Sequence, residues 1–242
     1  MQDFIKRNYI YSESAAAASK AAGEEIVAKI VEFSETQEQI IIGLCGGRSP
    51  VHLFEALVAG CRGLGREGCR KVNFFQVDER LRSEPNFELQ HEVLFSPLLA
   101  AEVISSAQVH LFPRQLPPLE AASDYENKLR ARGGRFDIGI FGVGPDSHIA
   151  GIFPDHSSSA SSYDGFITFE ESPKPPNGRA TATLPLLEKT KFGVFLFFGE
   201  EKRGAFEQFI RNKEKLESCP VQVGHHMEDA LIVLDLKDAV PE

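Results

Sequence analysis

The chain has 242 residues, 42% of them apolar and 25% charged, with a formal net charge of −9, a composition that suits a folded protein long enough to bury a sizeable core. No run of lysines and arginines breaks that acidic balance, which excludes the broad basic surfaces used on nucleic acid or anionic lipid; neither is expected as a partner. An anionic substrate would have to be held by a few converging cations and backbone amides. The leading MQDFIKRNYIYSES carries no apolar core of a secretion signal, and no later apolar run reaches membrane-spanning length. Cys45, Cys61, Cys69 and Cys219 form no CxxC pair and no zinc-knuckle spacing, so reduced thiols, no metal and a cytoplasmic location are expected.

In chain order, Ser14 can cap a helix in which Ala15, Ala18, Ala22, Ile26, Ile30 and Phe33 recur at steps of three and four. Residues 39–44 are β-branched and apolar on both faces, the pattern of a central parallel strand, and they end at Gly46 and Gly47. Beyond Pro50, Leu53, Phe54 and Leu57 restore helical spacing. Residues 63–68 spell GxGxxG, yet they precede a strand instead of opening a helix after one, so they are read as a surface loop without a nucleotide role. Strands are predicted at 72–77, 109–112, 136–142, 193–198 and 230–234, and helices at 87–101, 119–132 and 201–216. This alternation predicts a single doubly wound, Rossmann-like α/β domain over 1–242, with a mainly parallel sheet and helices on both faces. The serine run 156–163 and the proline-rich 172–178 read as loops of the kind that border sites at strand ends.

Ligands of such sheets bind beyond the carboxyl ends of the strands, and the chemistry-bearing residues follow strands here. Gly46, Gly47, Arg48 and Ser49 lie between a strand and a helix, where exposed amides and a helix N-terminus can cradle phosphate; a plain tight turn is the equal alternative. Asp78, Glu79 and Arg80 close the next strand, and Arg80 can meet an anionic oxygen, although a solvated strand end is the simpler reading. The strongest stretch is 142–150, in which Asp146 and His148 share a glycine-flanked loop: a carboxylate can orient an imidazole that titrates near neutral pH, the arrangement of a general base. His52, His91 and His110 stand isolated, and His225–His226 lacks a carboxylate pattern for a metal. Arg179, after the proline-rich loop, and Lys202, after a strand, complete a candidate phosphate clamp.

The succession GGRSP, VDER, FDIGIFGVGPDSHIAGIFP, RATATLP and GEEK resembles the 6-phosphogluconolactonase family over nearly the whole chain, a branch of the group that also holds glucosamine-6-phosphate deaminases. The resemblance implies a modified Rossmann-like sheet and hydrolysis, without cofactor or metal, of a phosphorylated sugar lactone, 6-phospho-D-glucono-1,5-lactone of the oxidative pentose phosphate pathway. Monomer or weak homo-oligomer is the expected assembly. It implies that Gly46, Gly47, Arg48 and Ser49 form the phosphate loop, that Arg179 and Lys202 face the phosphate, that Asp78, Arg80 and Asn86 line the sugar end, and that His148 is the base supported by Asp146. Three positions depart from the family pattern: Ser147 for glycine, Arg48 for serine or threonine, and Gly151 for serine. If position 147 needs a positive φ, serine there carries strain of about 1 kcal/mol, and its hydroxymethyl is expected to crowd the crevice. The deaminase branch would place a glutamate in an NEP element where Ile152-Phe153-Pro154 stands, and a sensor that binds sugar phosphate without turnover is the rival from another class.

Overall fold

The structure is a computed structural model that describes residues 9–237 and residue 239. The leading residues 1–8, part of the stretch read above for a secretion signal, lie outside them. After β1 (Tyr9–Tyr11), Ser14 caps α1 (Ala15–Thr36) by accepting the Ala17 amide at 3.3 Å, and Ala18, Ala22, Ile26 and Ile30 form its buried stripe. β2 (Ile40–Leu44) is buried at every residue. α2 (Val51–Cys69) runs through the GxGxxG stretch, which is therefore helical and not the expected surface loop. Its buried Leu53, Phe54, Leu57 and Cys61 lead on to a buried Cys69, so the apolar face outlasts the glycines, and the helix breaks only at Gly65 (φ 67, ψ −177).

β3 (Val72–Gln76) is followed by β4 (Asp78–Arg80) and then by α3 (Asn86–Gln90), a π-turn (His91–Phe95) and α4 (Ser96–Ala100), where one helix was predicted. The Ser96 amide bonds back to His91 O just ahead of Pro97, whose missing donor favours the wider turn. The order continues with β5 (Val109–His110), α5 (Pro118–Arg130), β6 (Ile138–Gly142), β7 (Phe166–Phe169), β8 (Arg179–Ala182), α6 (Leu184–Leu187), β9 (Phe192–Phe197), α7 (Arg203–Arg211) and β10 (Asp229–Leu234). α7 stops short of the predicted 216 because Asn212 turns left-handed (φ 45).

Seven strands make one sheet in the order β1-β10-β9-β6-β2-β3-β5, every pairing parallel. From β2 the chain adds β3 and β5 on one side, then returns to place β6, β9 and β10 on the other. Right-handed crossovers in opposite directions put the helices of the two halves on opposite faces, the expected doubly wound arrangement. The reversal falls between β2 and β6, so a crevice opens where those two strands end. The sequence reading missed a second sheet, the antiparallel β4-β8-β7, and β1 as an edge of the first. The second sheet pairs Asp78 with Thr181 and Arg80 with Arg179, folding the proline-rich loop over the crevice.

Candidate active site

The loops after β2 and β6 meet directly at the switch point. The Gly142 amide donates to Cys45 Sγ at 3.2 Å, and burial, reinforced by the charge of Asp78, pushes the Cys45 thiol up to about 12. Gly46 follows, and a Cβ there would stand 1.9 Å from Asn86 Oδ1. The glycine thus lets the Asn86 amide close against the turn, from where Nδ2 donates at 3.1 Å to both Asp78 O and Asp78 Oδ2. Gly47 (φ 79) has the left-handed backbone that bends the loop.

β4 supplies the opposite wall. Glu79 is buried and receives the amides of Arg80 and Asn86, each at 2.6 Å, together with the Gln76 side chain, which fixes where Asp78 and Arg80 point. Burial, then the neighbouring Glu79 charge, raise the Asp78 carboxyl to about 6 against the opposing Asn86 hydrogen bond and the Arg179 and Arg80 charges. Arg80 and Arg179 sit directly opposite one another in the antiparallel register, so two guanidinium groups emerge on one face of the small sheet. Like charges placed so repel, and an anion between them relieves that cost. Arg80 also bonds Glu84 Oε2 at 3.2 Å, while Arg179, only 5% exposed, spends its fork on the loop: Nη2 reaches Lys174 O at 3.1 Å and Pro175 O at 3.4 Å, and Nη1 reaches Gly178 O at 3.3 Å and Pro176 O.

The third wall is the loop after β6. His148 Nδ1 lies 2.5 Å from Asp146 Oδ1, and a Cβ on Gly144 would fall 1.9 Å from that nitrogen, so the glycine is the space into which the pair folds. In the tautomer that donates Nδ1–H to this carboxylate, the lone pair belongs to Nε2. Burial works against ionisation of Asp146, yet hydrogen bonds from His148 and Lys174 outweigh it and hold the carboxyl well below the usual carboxylate range. Phe153 backs the imidazole at a ring distance of 5.1 Å, where the deaminase pattern would carry its glutamate element. Ser147 does have a positive φ, 69, as the glycine pattern anticipates. Its side chain does not crowd the crevice: it is fully buried and its hydroxyl donates to Gln208 Oε1 on α7. Gly151 has no room for the serine of the pattern, since a Cβ would come within 2.8 Å of Thr181 Cβ.

These walls enclose a pocket of about 240 Å³ lined by Gly46, Gly47, Asp78, Arg80, Asn86, His148 and Arg179 among the predicted residues. Asp146 stands behind His148. Arg48 is exposed and off the lining, Ser49 lies below it near Gly142, and Lys202 is half-buried outside it, close enough to feel the charges of Lys174 and Asp146. Cys45, Gly142, Ala150, Phe153, Lys174 and Pro175 complete the lining; they fall in or beside stretches singled out from the sequence, but none of them was expected to contact a ligand. The proline-rich loop was the one signal that could have flagged Lys174. Among the described residues, no group of three or more His, Cys, Asp or Glu side chains converges as a metal site, and no helix is long and apolar enough to cross a membrane.

A polar, cation-lined pocket at the switch point of a doubly wound sheet defines the class, an α/β enzyme acting on a small anionic molecule. Residues 13–233 match the family described as glucosamine-6-phosphate isomerases/6-phosphogluconolactonase, and the chain belongs to that family. It is 31% identical to the 6-phosphogluconolactonase of Borreliella burgdorferi over 81% of this chain and 83% of that one. It is likewise 31% identical to the 6-phosphogluconolactonase of Thermotoga maritima over 79% of this chain and 89% of that one. The crystal structure of a Thermotoga maritima 6-phosphogluconolactonase superposes with a TM-score of 0.80 at 26% identity, covering 94% of this chain and 98% of that one.

Proposed function

We propose that the chain hydrolyses 6-phosphogluconolactone to 6-phosphogluconate, the reaction named for its relatives, with His148 as general base. The observation that carries the reading is that His148, the Gly46–Gly47 turn, Arg80 and Arg179 all line one pocket of about 240 Å³. The pocket thus gathers a base, cationic side chains and the backbone of the glycine turn around one volume, matching a sugar lactone that ends in phosphate. His148 Nε2 takes a proton from water as the hydroxide oxygen bonds to the lactone carbonyl carbon. The carbonyl oxygen becomes an oxyanion, which Arg80 stabilises; losing one such donor costs about 3 kcal/mol in other hydrolases. Collapse breaks the bond to the ring oxygen, which receives the proton from His148, and the new carboxylic acid releases its own to solvent. Asp146 keeps Nδ1 protonated and stabilises the imidazolium in between.

The measurement is hydrolysis of the phosphorylated lactone by the purified chain, corrected for spontaneous opening. His148→Ala is expected to lower turnover by roughly two to four orders of magnitude while leaving 6-phosphogluconate binding nearly intact. Turnover equal to background in the native chain would remove the activity, and undiminished turnover in the variant would remove His148 from the mechanism.

A further inference from the structure

Lys174 stands at the centre of the site, and the proposed mechanism leaves it without a role. Its Nζ lies 2.8 Å from Asp146 Oδ1 and 3.2 Å from His148 Nδ1, while that same carboxylate oxygen is 2.5 Å from the ring nitrogen. One oxygen therefore serves two donors, and the donors face each other. The backbone that delivers Lys174 is strapped down by the Arg179 fork, which grips the carbonyls of Lys174, Pro175, Pro176 and Gly178. Arg179 is committed to the strap and Arg80 to Glu84, whereas the Lys174 ammonium is bound to the His148–Asp146 pair through a flexible stem that is 37% exposed.

We propose that Lys174 couples recognition of the substrate's phosphate to the base: it shares Asp146 and opposes the charging of His148 until a phosphate dianion draws it away. The inference rests on His148 being the base. A general base must become an imidazolium, and here that cation would form 3.2 Å from an ammonium with one carboxylate between them. Lys202, whose charge also bears on Asp146 and Lys174, adds to the excess of positive charge in this corner. A dianion entering the pocket cancels that excess and offers Lys174 a stronger partner, leaving Asp146 to the imidazole alone. The phosphate then contributes to turnover itself and not only to affinity, which makes Lys174 the residue that discriminates phosphorylated from neutral sugar lactones.

The test supplies the two halves of the substrate separately: the full chain is given unphosphorylated gluconolactone with and without inorganic phosphate. Saturating phosphate is expected to raise kcat for the neutral lactone by about tenfold in the native chain. Lys174→Met should start from a kcat for the neutral lactone raised by about tenfold, gain nothing from added phosphate, and so lose about tenfold of the kcat preference for the phosphorylated lactone. Lys174→Arg, which keeps the charge, should retain the phosphate response. Absence of phosphate activation in the native chain, or a Lys174→Met variant with an unchanged ratio of kcat values, overturns the coupling. His148→Asn in parallel separates the two ideas: if it hydrolyses both lactones normally, the base assignment falls, and if it is inactive while phosphate has no effect on the native chain, only the coupling falls. Should Lys174→Met fold poorly, the response of the native chain to phosphate still decides.

Discussion

At Ser147 a local cost and a tertiary gain meet. A left-handed backbone at a non-glycine residue costs of order 1–3 kcal/mol, and it persists here because the fold holds position 147 from two sides. The Val221 amide donates to Ser147 O at 3.1 Å, and the Ser147 hydroxyl donates to Gln208. Those contacts anchor the loop that carries His148 one residue later. Ser147→Ala keeps the unfavourable φ and deletes the side-chain bond, so urea unfolding should show a loss of about 1–2 kcal/mol, with kcat/KM reduced less than by any change at His148. Wild-type stability in that variant would mean that Gln208 contributes nothing to holding the loop.

Among the elements, α2 contains two glycines with opposite demands. Gly63 is helical, and a Cβ placed on it would meet no heavy atom within 4 Å, so Gly63→Ala should stabilise the protein by up to about 1 kcal/mol through loss of unfolded-state freedom. Gly65, at φ 67 and ψ −177, occupies backbone space nearly closed to other residues, and Gly65→Ala should cost about 1–3 kcal/mol. Equal effects of the two substitutions on the urea midpoint would contradict the break in α2. The same helix explains why the GxGxxG spacing misleads: its glycines serve a bend in a packed helix at the end remote from the β2–β6 crevice. The short β4 and β8 illustrate the converse. Each has three or four residues and no periodicity worth reading, yet their pairing brings Asp78, Arg80 and Arg179 to one wall.

For the molecule as a whole, the net charge of −9 means that the field far from the pocket repels an anionic substrate, so attraction rests on the local cations Arg80, Arg179 and Lys174 of the lining, with Lys202 beside it. Burying Asp78 among these cations links the site to global stability. Its carboxyl is raised to about 6 by burial and Glu79, above the usual value of about 3.9, so the unfolded chain ionises first. The contribution of Asp78 is thus fully present below about pH 4 and is lost as pH rises through about 6. His110, pushed down to about 4 by burial and by Arg132 and Lys128, runs the other way: its contribution is present above about pH 6.5 and fades on acidification. Asp78→Asn removes only the first effect, so its stability relative to the native chain should improve between pH 4.5 and pH 7 in urea titrations, by an amount of about 1 kcal/mol or more. A difference that does not change with pH would mean that Asp78 is not a strained buried acid.

The wound α/β sheet was legible along the chain, because each central strand is a short apolar run and each long helix has its own apolar stripe, local signals that survive reading one residue at a time. So was the position of the candidate pocket, since Gly46–Gly47 and Asp146–His148 each follow a strand directly. Arg80 and Arg179 were legible too, but that Lys174 joins them in the lining while Arg48 and Lys202 stay off it emerged only on folding. Lys174 and the β4–β8 pairing depend on segments distant in sequence meeting in a specific register, and Arg48 was turned outward by the same turn that brings its neighbouring glycines inward. Hydrophobic patterning is written along the chain, whereas the convergence of charges on one small volume is a property of the packed whole.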